Sequence, residues 1–600
     1  MNEFAPSTVF FWRRTDVRLA LFGASAVLAV YLGFIGVSVA GAESFVKRRG
    51  YYMVFAAFVL FVHSLWVLWR TRGLRTGESL TRGQAWVVAT AIGVLSLLAI
   101  TAEPLRSKIL NDEFVLQSTA FNMHFFRDVA TMVRGYDIQG VFVSTDNFMD
   151  KRPFFYPFLV SLLHDLTGYR LLNAYLVNAL LMPAGLWLVF VFGRQLSGWR
   201  GGLLAVVLLG SLPLLGQNAS GSGMELLNVV MILATMVLAV EYLREPREES
   251  LAAVVLSAVL LAYTRYESAL YVLPVGVLTL AGWLRVRRLI LPWQAALAPL
   301  LLVICALQNK VLSNSPLLWE LRDKKTARFS VDYFADNLLG AYQFLFSRSS
   351  ELANSLLLST VGLIALIWGL WRLVRMLPAW RTASAAGFSL GVFSLAVAAN
   401  TLLVFCYYWS SFVDRMASRF SLPLHLVLAF CAVLLAVKLD RWWPATKILI
   451  ATGLVFLIGT TTTRYANHPY SHVGIDEIEW ERRFVNALPP GQRIIISNKT
   501  TLPWLLEKKP SILIGRARLV ADRLAYQLHE PTFDEILVLQ VARPTSLEGD
   551  FEIVPEDRLP PGFKVELMVE KRFGSRLARI SRLVEVNLPP VRSKSVQPGS

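Results

Sequence analysis

A chain of 600 residues with 55% hydrophobic side chains, 17% charged ones and a mean hydropathy of +0.50 excludes a string of about four water-soluble domains, the count its length alone suggests. The 59 lysines and arginines outnumber the 42 aspartates and glutamates and leave a charge of +17. In a polytopic membrane chain that excess is supplied by cation-rich cytoplasmic loops, so no nucleic-acid partner is implied. Cys305, Cys406 and Cys431 lie in or beside apolar runs; their odd number and wide spacing suit packing rather than a disulfide framework or metal cluster.

A hydrocarbon core about 30 Å thick takes roughly 20 apolar residues per helix. Runs of this kind, or slightly shorter, fall at 19–40, 51–69, 85–102, 171–192, 201–216, 224–243, 251–264, 267–284, 291–307, 353–371, 385–408, 421–437 and 446–463, about thirteen spans. The first follows Arg13, Arg14 and Arg18 and ends in Ala40-Gly41-Ala42, which resembles a signal-peptidase site. It exceeds the about 7–15 residues of a signal-peptide core and reads as a retained anchor. The connections carrying Arg70/Arg72/Arg75/Arg82, Arg194/Arg200, Arg244/Arg247, Arg285/Arg287/Arg288, Arg372/Arg375/Arg381 and Lys438/Arg441 fall on one side, the cytoplasmic one. Lys47-Arg48-Arg49 is the exception, placed outside.

The outer side then holds Glu103–Tyr169, Gly216–Gly223, Gln308–Ser350, Tyr407–Arg419 and a tail from Arg464. Phe154–Leu166 is apolar but half a spanning length, which predicts a helix lying at the interface. From about Tyr470 charges become dense. Strands are predicted at 494–497, 535–541, 563–569 and 577–586 and helices at 502–508 and 516–528, a small α/β domain with a disordered Pro/Ser-rich end from Pro589.

The sharpest chemical signal is Asn111-Asp112-Glu113, directly after the third span and before an amphipathic stretch with Phe114, Phe121, Phe125, Val129 and Met132. Acids suit a helix N-terminus, so a plain cap would explain them. Their company points further: Lys151-Arg152-Pro153 opens the interfacial helix, and Arg265, Arg415 and Arg419 sit at outer helix ends. Cations on that side contradict positive-inside placement and are functional candidates unless they snorkel or pair locally, as Arg265 could with Glu267.

With RPFFYPFLVSLLHDLTG and RLLNAYLVNALLMPAGLWLVFVFGRQLSG following the acidic pair, the region from about Thr101 to Leu424 resembles the GT-C membrane glycosyltransferases, especially the protein O-mannosyltransferases and the lipid A aminoarabinose transferase. The motifs are short and identify a superfamily, not a substrate. The resemblance implies a polytopic α-helical GT-C fold of about thirteen transmembrane helices plus interfacial helices, with a small soluble C-terminal α/β domain. Its parts would be 1–84, extra N-terminal spans; 85–463, the catalytic module with 103–169 as first outer loop; and 464–600, the extracytoplasmic domain. It also implies Asp112 as catalytic carboxylate with Glu113 beside it, Glu225 as second acidic position, and Lys151, Arg152, Arg265 and Arg419 as donor-phosphate ligands. Lys-Arg-Pro and Phe420 depart from the family pattern, leaving the separate roles of Lys151 and Arg152 open.

A polyprenyl-phosphate sugar donor suits these residues, because breaking the sugar–phosphate bond returns negative charge to the phosphate and calls for fixed cations, while the acceptor hydroxyl calls for a carboxylate. The expectation is an inverting transfer to a glycan, lipid or protein hydroxyl, at the periplasmic face of a bacterial inner membrane. No metal site is implied and no cofactor is required, though a divalent ion stays open. The alternatives are an oligosaccharide ligase using a diphosphate-linked donor, and a non-catalytic scaffold or transporter.

Overall fold

The structure, a computed structural model, describes residues 15–72, 79–315, 327–376, 381–467, 470–530, 533–545 and 551–587. Arg13, Arg14, Arg75 and the Pro/Ser-rich end lie outside the described residues. The chain forms two compact units: Met1–Leu116, Met123–Val129 and Met149–Tyr470 make the first, and Gln117–Asn122, Ala130–Phe148 and Ser471–Ser600 make the second.

The first unit is helical. Its elements are α1 (Thr15–Val30, continued by a π-turn to Ile35), α2 (Val39–Arg72), α3 (Arg82–Thr101), the first turns of α4 (Leu110–Phe126), α5 (Phe155–Thr167), α6 (Leu172–Gly210), α7 (Pro213–Ala219), α8 (Glu225–Arg244) and α9 (Glu248–Ala262). There follow α10 (Val272–Val286), α11 (Trp293–Ser313), α12 (Phe334–Phe346), α13 (Leu356–Met376), α14 (Ala385–Phe405), α15 (Leu422–Leu439), α16 (Ala445–Phe456) and α17 (Thr462–Asn467). The apolar runs named above fall on these helices, 19–40 reaching from α1 into α2, 201–216 from α6 into α7 and 446–463 from α16 into α17. Among the described residues, ten are long and apolar enough to cross a membrane, and the chain is a multi-pass membrane protein. The tally is lower than thirteen because 171–192 and 201–216 lie on two helical segments of α6, separated by non-helical backbone at Ser197 and at Gly198, whose φ is 76°, that are taken together as one, while α9 has only 15 residues and the apolar part of α13 spans Leu356–Arg372. Helix α8, apolar on all sides, is buried along nearly its whole length, as such a pattern requires.

Side-chain contacts sort the helix ends. Arg18 at the start of α1 meets Glu248 at 2.6 Å and the Leu291 carbonyl at 3.2 Å, so it lies with the Arg-rich turns. Lys310, near the end of α11, donates to the Phe34 carbonyl at the other end of the same helix pair. The Lys47 carbonyl accepts from the Val129 N–H at 2.8 Å, which puts Lys47-Arg48-Arg49 at the same end of the helices as the segment that follows α4, opposite Arg18. Exposed Phe45 and Tyr52 flank the triplet. Helix α5, expected at the interface, buries Phe155 and Phe158 against Tyr51, Phe55 and Phe58 of α2.

The amphipathic stretch after Glu113 is corrected. It ends at Phe126, where Arg127 turns left-handed at φ 58°, and Met132 belongs to a strand. Strands β1 (Thr131–Ile138) and β2 (Val141–Phe148) form a hairpin whose two-residue turn, Gln139-Gly140, has φ of 54° and 81°. Two successive positive φ values define the turn that matches strand twist.

This hairpin belongs to the second unit, with α18 (Val473–Ala487), β3 (Arg493–Ser497), α19 (Leu502–Leu506), β4 (Ser511–Leu513), α20 (Ile514–Ala517), α21 (Ala521–His529), β5 (Glu535–Pro544), β6 (Phe551–Glu552), β7 (Phe563–Phe573) and β8 (Arg576–Val586). The sheet order is β2-β1-β4-β3-β5-β8-β7, with β6 on β5; β3 is parallel to both β4 and β5, and the other pairs are antiparallel. The four predicted strands are β3, β5, β7 and β8. Ile494, Ile496, Ile536 and Val538 face one core layer and Ile495, Trp504, Leu537 and Ile580 the other, the alternation of strands covered on both faces.

Candidate active site

Asp112 and Glu113 occupy the first turn of α4. Neighbours on a helix diverge by about 100°, and these two carboxylates meet different partners. Asp112 Oδ1 accepts from Arg152 through Nε at 3.1 Å and also through Nη2, while its Oδ2 accepts from Arg419 Nη2 at 2.6 Å. Burial pushes the Asp112 carboxyl up, but the guanidiniums of Arg152 and then Arg419 outweigh it and hold the group well below the usual carboxylate range. Glu113 is 1% exposed. It accepts from the Lys108 N–H at 2.9 Å, the Ser222 N–H at 3.2 Å and the Ser222 hydroxyl at 3.1 Å. Burial raises its carboxyl to about 7, against the Lys108 N–H and with the negative charge of Glu225 adding.

Around Asp112 the charges alternate in a continuous row: Asp150, Arg152, Asp112, Arg419, Glu225, Arg265, Glu267. Arg152 Nη1 lies 2.8 Å from Asp150 Oδ1. Arg419 Nε stands 3.2 Å from Glu225 Oε1, and Arg265 Nη1 donates to the same oxygen at 2.6 Å. Arg265 Nε turns to Glu267 at 2.5 Å. The side chains of Arg265 and Arg419 are each 5% exposed, and both guanidiniums lie over the Phe420 ring, at 5.0 and 5.2 Å. Among the described residues, buried Arg419 Nε and Nη1 and Glu225 Oε2 have no hydrogen-bond partner. A small cavity beside them is lined by Glu225, Asn228, Arg265, Asn400, Arg419 and Phe420.

Local sequence holds each member. Asn228, one turn into α8, accepts from Thr264 at 2.7 Å and Ser268 at 2.6 Å, tying the turn that carries Arg265 to the helix that begins at Glu225. Asp414 caps the turn before Arg419 by accepting from the Met416 N–H at 2.7 Å. Asn178 donates to the Gly221 and Gly223 carbonyls at 2.9 and 2.8 Å. A Cβ at Gly221 would stand 2.9 Å from Glu113 Oε1, and one at Gly223 2.4 Å from Glu225 Oε2, so both positions need glycine for close approach.

The expected site residues Asp112, Glu225, Arg152, Arg265 and Arg419 thus stand in one network. Glu113 faces away from it. Lys151 is half-buried, its carbonyl bonded to Gln308 Nε2 at 3.1 Å, and burial, then neighbouring Arg152, holds its ammonium below the ordinary value. Arg415 stands outside the row, 3.7 Å from Glu351. Sequence reading missed Asp150, which extends the row; its signal was an acid two residues before Arg152. Among the described residues no group of three or more His, Cys, Asp or Glu could hold a metal ion.

Residues 151–308 match the family described as "Dolichyl-phosphate-mannose-protein mannosyltransferase", in line with the resemblance to the protein O-mannosyltransferases. No curated protein matches the chain by sequence. Among solved structures, ArnT from Cupriavidus metallidurans bound to undecaprenyl phosphate is similar at 13% identity and TM-score 0.47, over 83% of this chain and 98% of that one. The apo oligosaccharyltransferase of Archaeoglobus fulgidus gives 10% and 0.44, over 79% and 75%; the arabinosyltransferase EmbB from Mycobacterium smegmatis gives 15% and 0.33, over 69% and 44%.

Proposed function

We propose that the chain transfers a sugar from a polyprenyl-phosphate donor to an acceptor hydroxyl, on the side of the membrane opposite the Arg-rich loops. The observation that carries this reading is the Asp112 carboxylate held between Arg152 and Arg419, with a further Arg419 N–H left unbonded. In the reaction the acceptor hydroxyl passes its proton to Asp112 as its oxygen bonds to the anomeric carbon, the carbon–oxygen bond to phosphate breaks with its electron pair, and polyprenyl phosphate departs. Arg419, with Arg265 and the Lys151-Arg152 pair, would meet the charge that collects on that phosphate.

The row of charges sets a condition on this chemistry. Asp112, Asp150, Glu225 and Glu267 balance Arg152, Arg265, Arg419 and Lys151, so the site has fixed cations without a free excess. A carboxylate gripped by two guanidiniums is a weak base. When a donor phosphate draws Arg419 or Arg152 toward itself, Asp112 loses that stabilisation and its proton affinity rises, so base strength appears only with the donor in place.

Release of polyprenyl phosphate from a polyprenyl-phosphate sugar by the purified chain in lipid nanodiscs tests the reading. Release should occur and should be lost in Asp112→Asn. Turnover of a polyprenyl-diphosphate glycan in preference would make the chain a ligase, and no binding of either would return it to the scaffold class.

A further inference from the structure

Asp112 and Glu225 lie on helices far apart in sequence, yet both engage Arg419. A cluster of four side chains outside the row of charges connects the loops that lead to them. Glu103, Lys108, Glu113 and Tyr470 are each 1–2% exposed. Lys108 sits at their centre. Its N–H goes to Glu113 at 2.9 Å, its ammonium to Glu103 at 3.3 Å and the Pro104 carbonyl at 2.9 Å, and its carbonyl accepts from the Tyr470 hydroxyl. The ammonium also lies 5.6 Å from the centre of the Tyr470 ring. The Tyr470 N–H returns to Glu103 at 2.9 Å, and Arg106 donates to the Tyr470 carbonyl.

On its other side Glu113 receives both the N–H and the hydroxyl of Ser222, three residues before Glu225. One buried carboxylate therefore joins the loop that leads to Asp112 with the loop that leads to Glu225. A lysine and a glutamate removed from water are stable there only as a hydrogen-bonded pair, so the loop cannot shift without breaking it.

We propose that Glu103, Lys108, Glu113 and Tyr470 form a buried bracket that sets the distance between Asp112 and Glu225, with Lys108 and Tyr470 as positioning residues for sugar transfer. The role in transfer rests on the function proposed above; the bracket itself does not. Groups that act in a transition state lose much of their effect when displaced by about 1 Å, which is why a residue remote from the substrate can control rate.

Two measurements on the full chain test it. In hydrogen exchange without ligand, Lys108→Met should speed exchange about tenfold both in peptides covering 105–116 and in those covering 218–228, and Lys108→Met with Glu103→Gln should restore both, since it removes the unpaired carboxylate. Faster exchange in 105–116 alone would overturn the bracket. With an undecaprenyl-phosphate-linked sugar, Lys108→Met should lower kcat about tenfold with KM within about twofold, and the double variant should recover most of kcat. Unchanged kcat, or an equal loss in the double variant, would overturn the positioning role. Should Lys108→Met fail to fold, Tyr470→Phe, which deletes one hydroxyl, serves in both arms. An unsubstituted chain that releases no undecaprenyl phosphate would defeat the donor reading, while the exchange result would still decide the bracket.

Discussion

Asp112 and Arg419 are 307 residues apart in the chain and 2.6 Å apart in space. Arg419 donates to Asp112 through Nη2, while its Nε stands 3.2 Å from Glu225 Oε1 as an ion pair without a hydrogen bond, so one planar cation lies against both acidic positions. That geometry makes its replacement by lysine a severe change, since a single ammonium cannot lie against both carboxylates at that separation. Arg419→Lys should lower turnover by about 10²–10³, the loss seen when one oriented donor to developing charge is removed. Retention of more than about a third of the rate would take Arg419 out of the transition-state contacts.

Asp112→Asn keeps an acceptor oxygen for one of its two arginines and removes the charge that both require. Turnover should fall by roughly 10²–10⁴, and stability should fall as well, because removing one partner of a buried pair leaves charge uncompensated. Glu113→Gln should reduce turnover less, since Glu113 faces Lys108 and Ser222. Rates measured beside thermal unfolding on the same preparations separate the two effects; equal rates in both variants would refute the difference assigned to them.

The second unit carries its own titration. Burial, reinforced by the charge of Glu477, pushes the Glu481 carboxyl up to about 8 from 4.5. Between those values the unfolded chain binds fewer protons than the folded one, so this group's contribution to stability is full below about pH 4.5 and is lost as pH rises through about 8. Glu481→Gln should flatten that decline in exchange-detected unfolding of residues 471–587. A parallel decline in the variant would show that another group is responsible.

Labelling tests the proposed sidedness. In a chain whose Cys305, Cys406 and Cys431 are replaced, a membrane-impermeant thiol reagent should label Ser144→Cys and Glu570→Cys in intact cells and spare Pro246→Cys and Arg441→Cys. The reverse pattern would invert the orientation.

The helices were legible because a spanning helix is a long apolar run that any window detects, and the tail strands because their alternation is local. Asp112, Arg265 and Arg419 were legible because charge at a helix end beside apolar runs is conspicuous. Their pairing was not. Which guanidinium meets which carboxylate depends on how α4, α8 and α15 are packed, and no local spacing encodes it. Glu113 illustrates the limit: next to Asp112 and chemically similar, it differs by the direction of one bond on a helix. The β1–β2 hairpin was missed despite the Gln139-Gly140 signal, since alternation in TMVRGYDI and VFVSTDNF is weak beside the aromatic periodicity preceding it.

The β1–β4 pairing, Gly135 against Ser511, sets an order of events during biosynthesis. The hairpin is made first, and β4 follows roughly 400 residues later, on the order of half a minute at ordinary elongation rates. Through that interval, while most of the spanning helices are still being inserted, β1 has β2 on one side and an open row of backbone donors and acceptors on the other. Nascent chains with such an unfilled edge recruit foreign strands, so the yield of correctly assembled protein depends on how well that edge is shielded until the last quarter of the chain arrives.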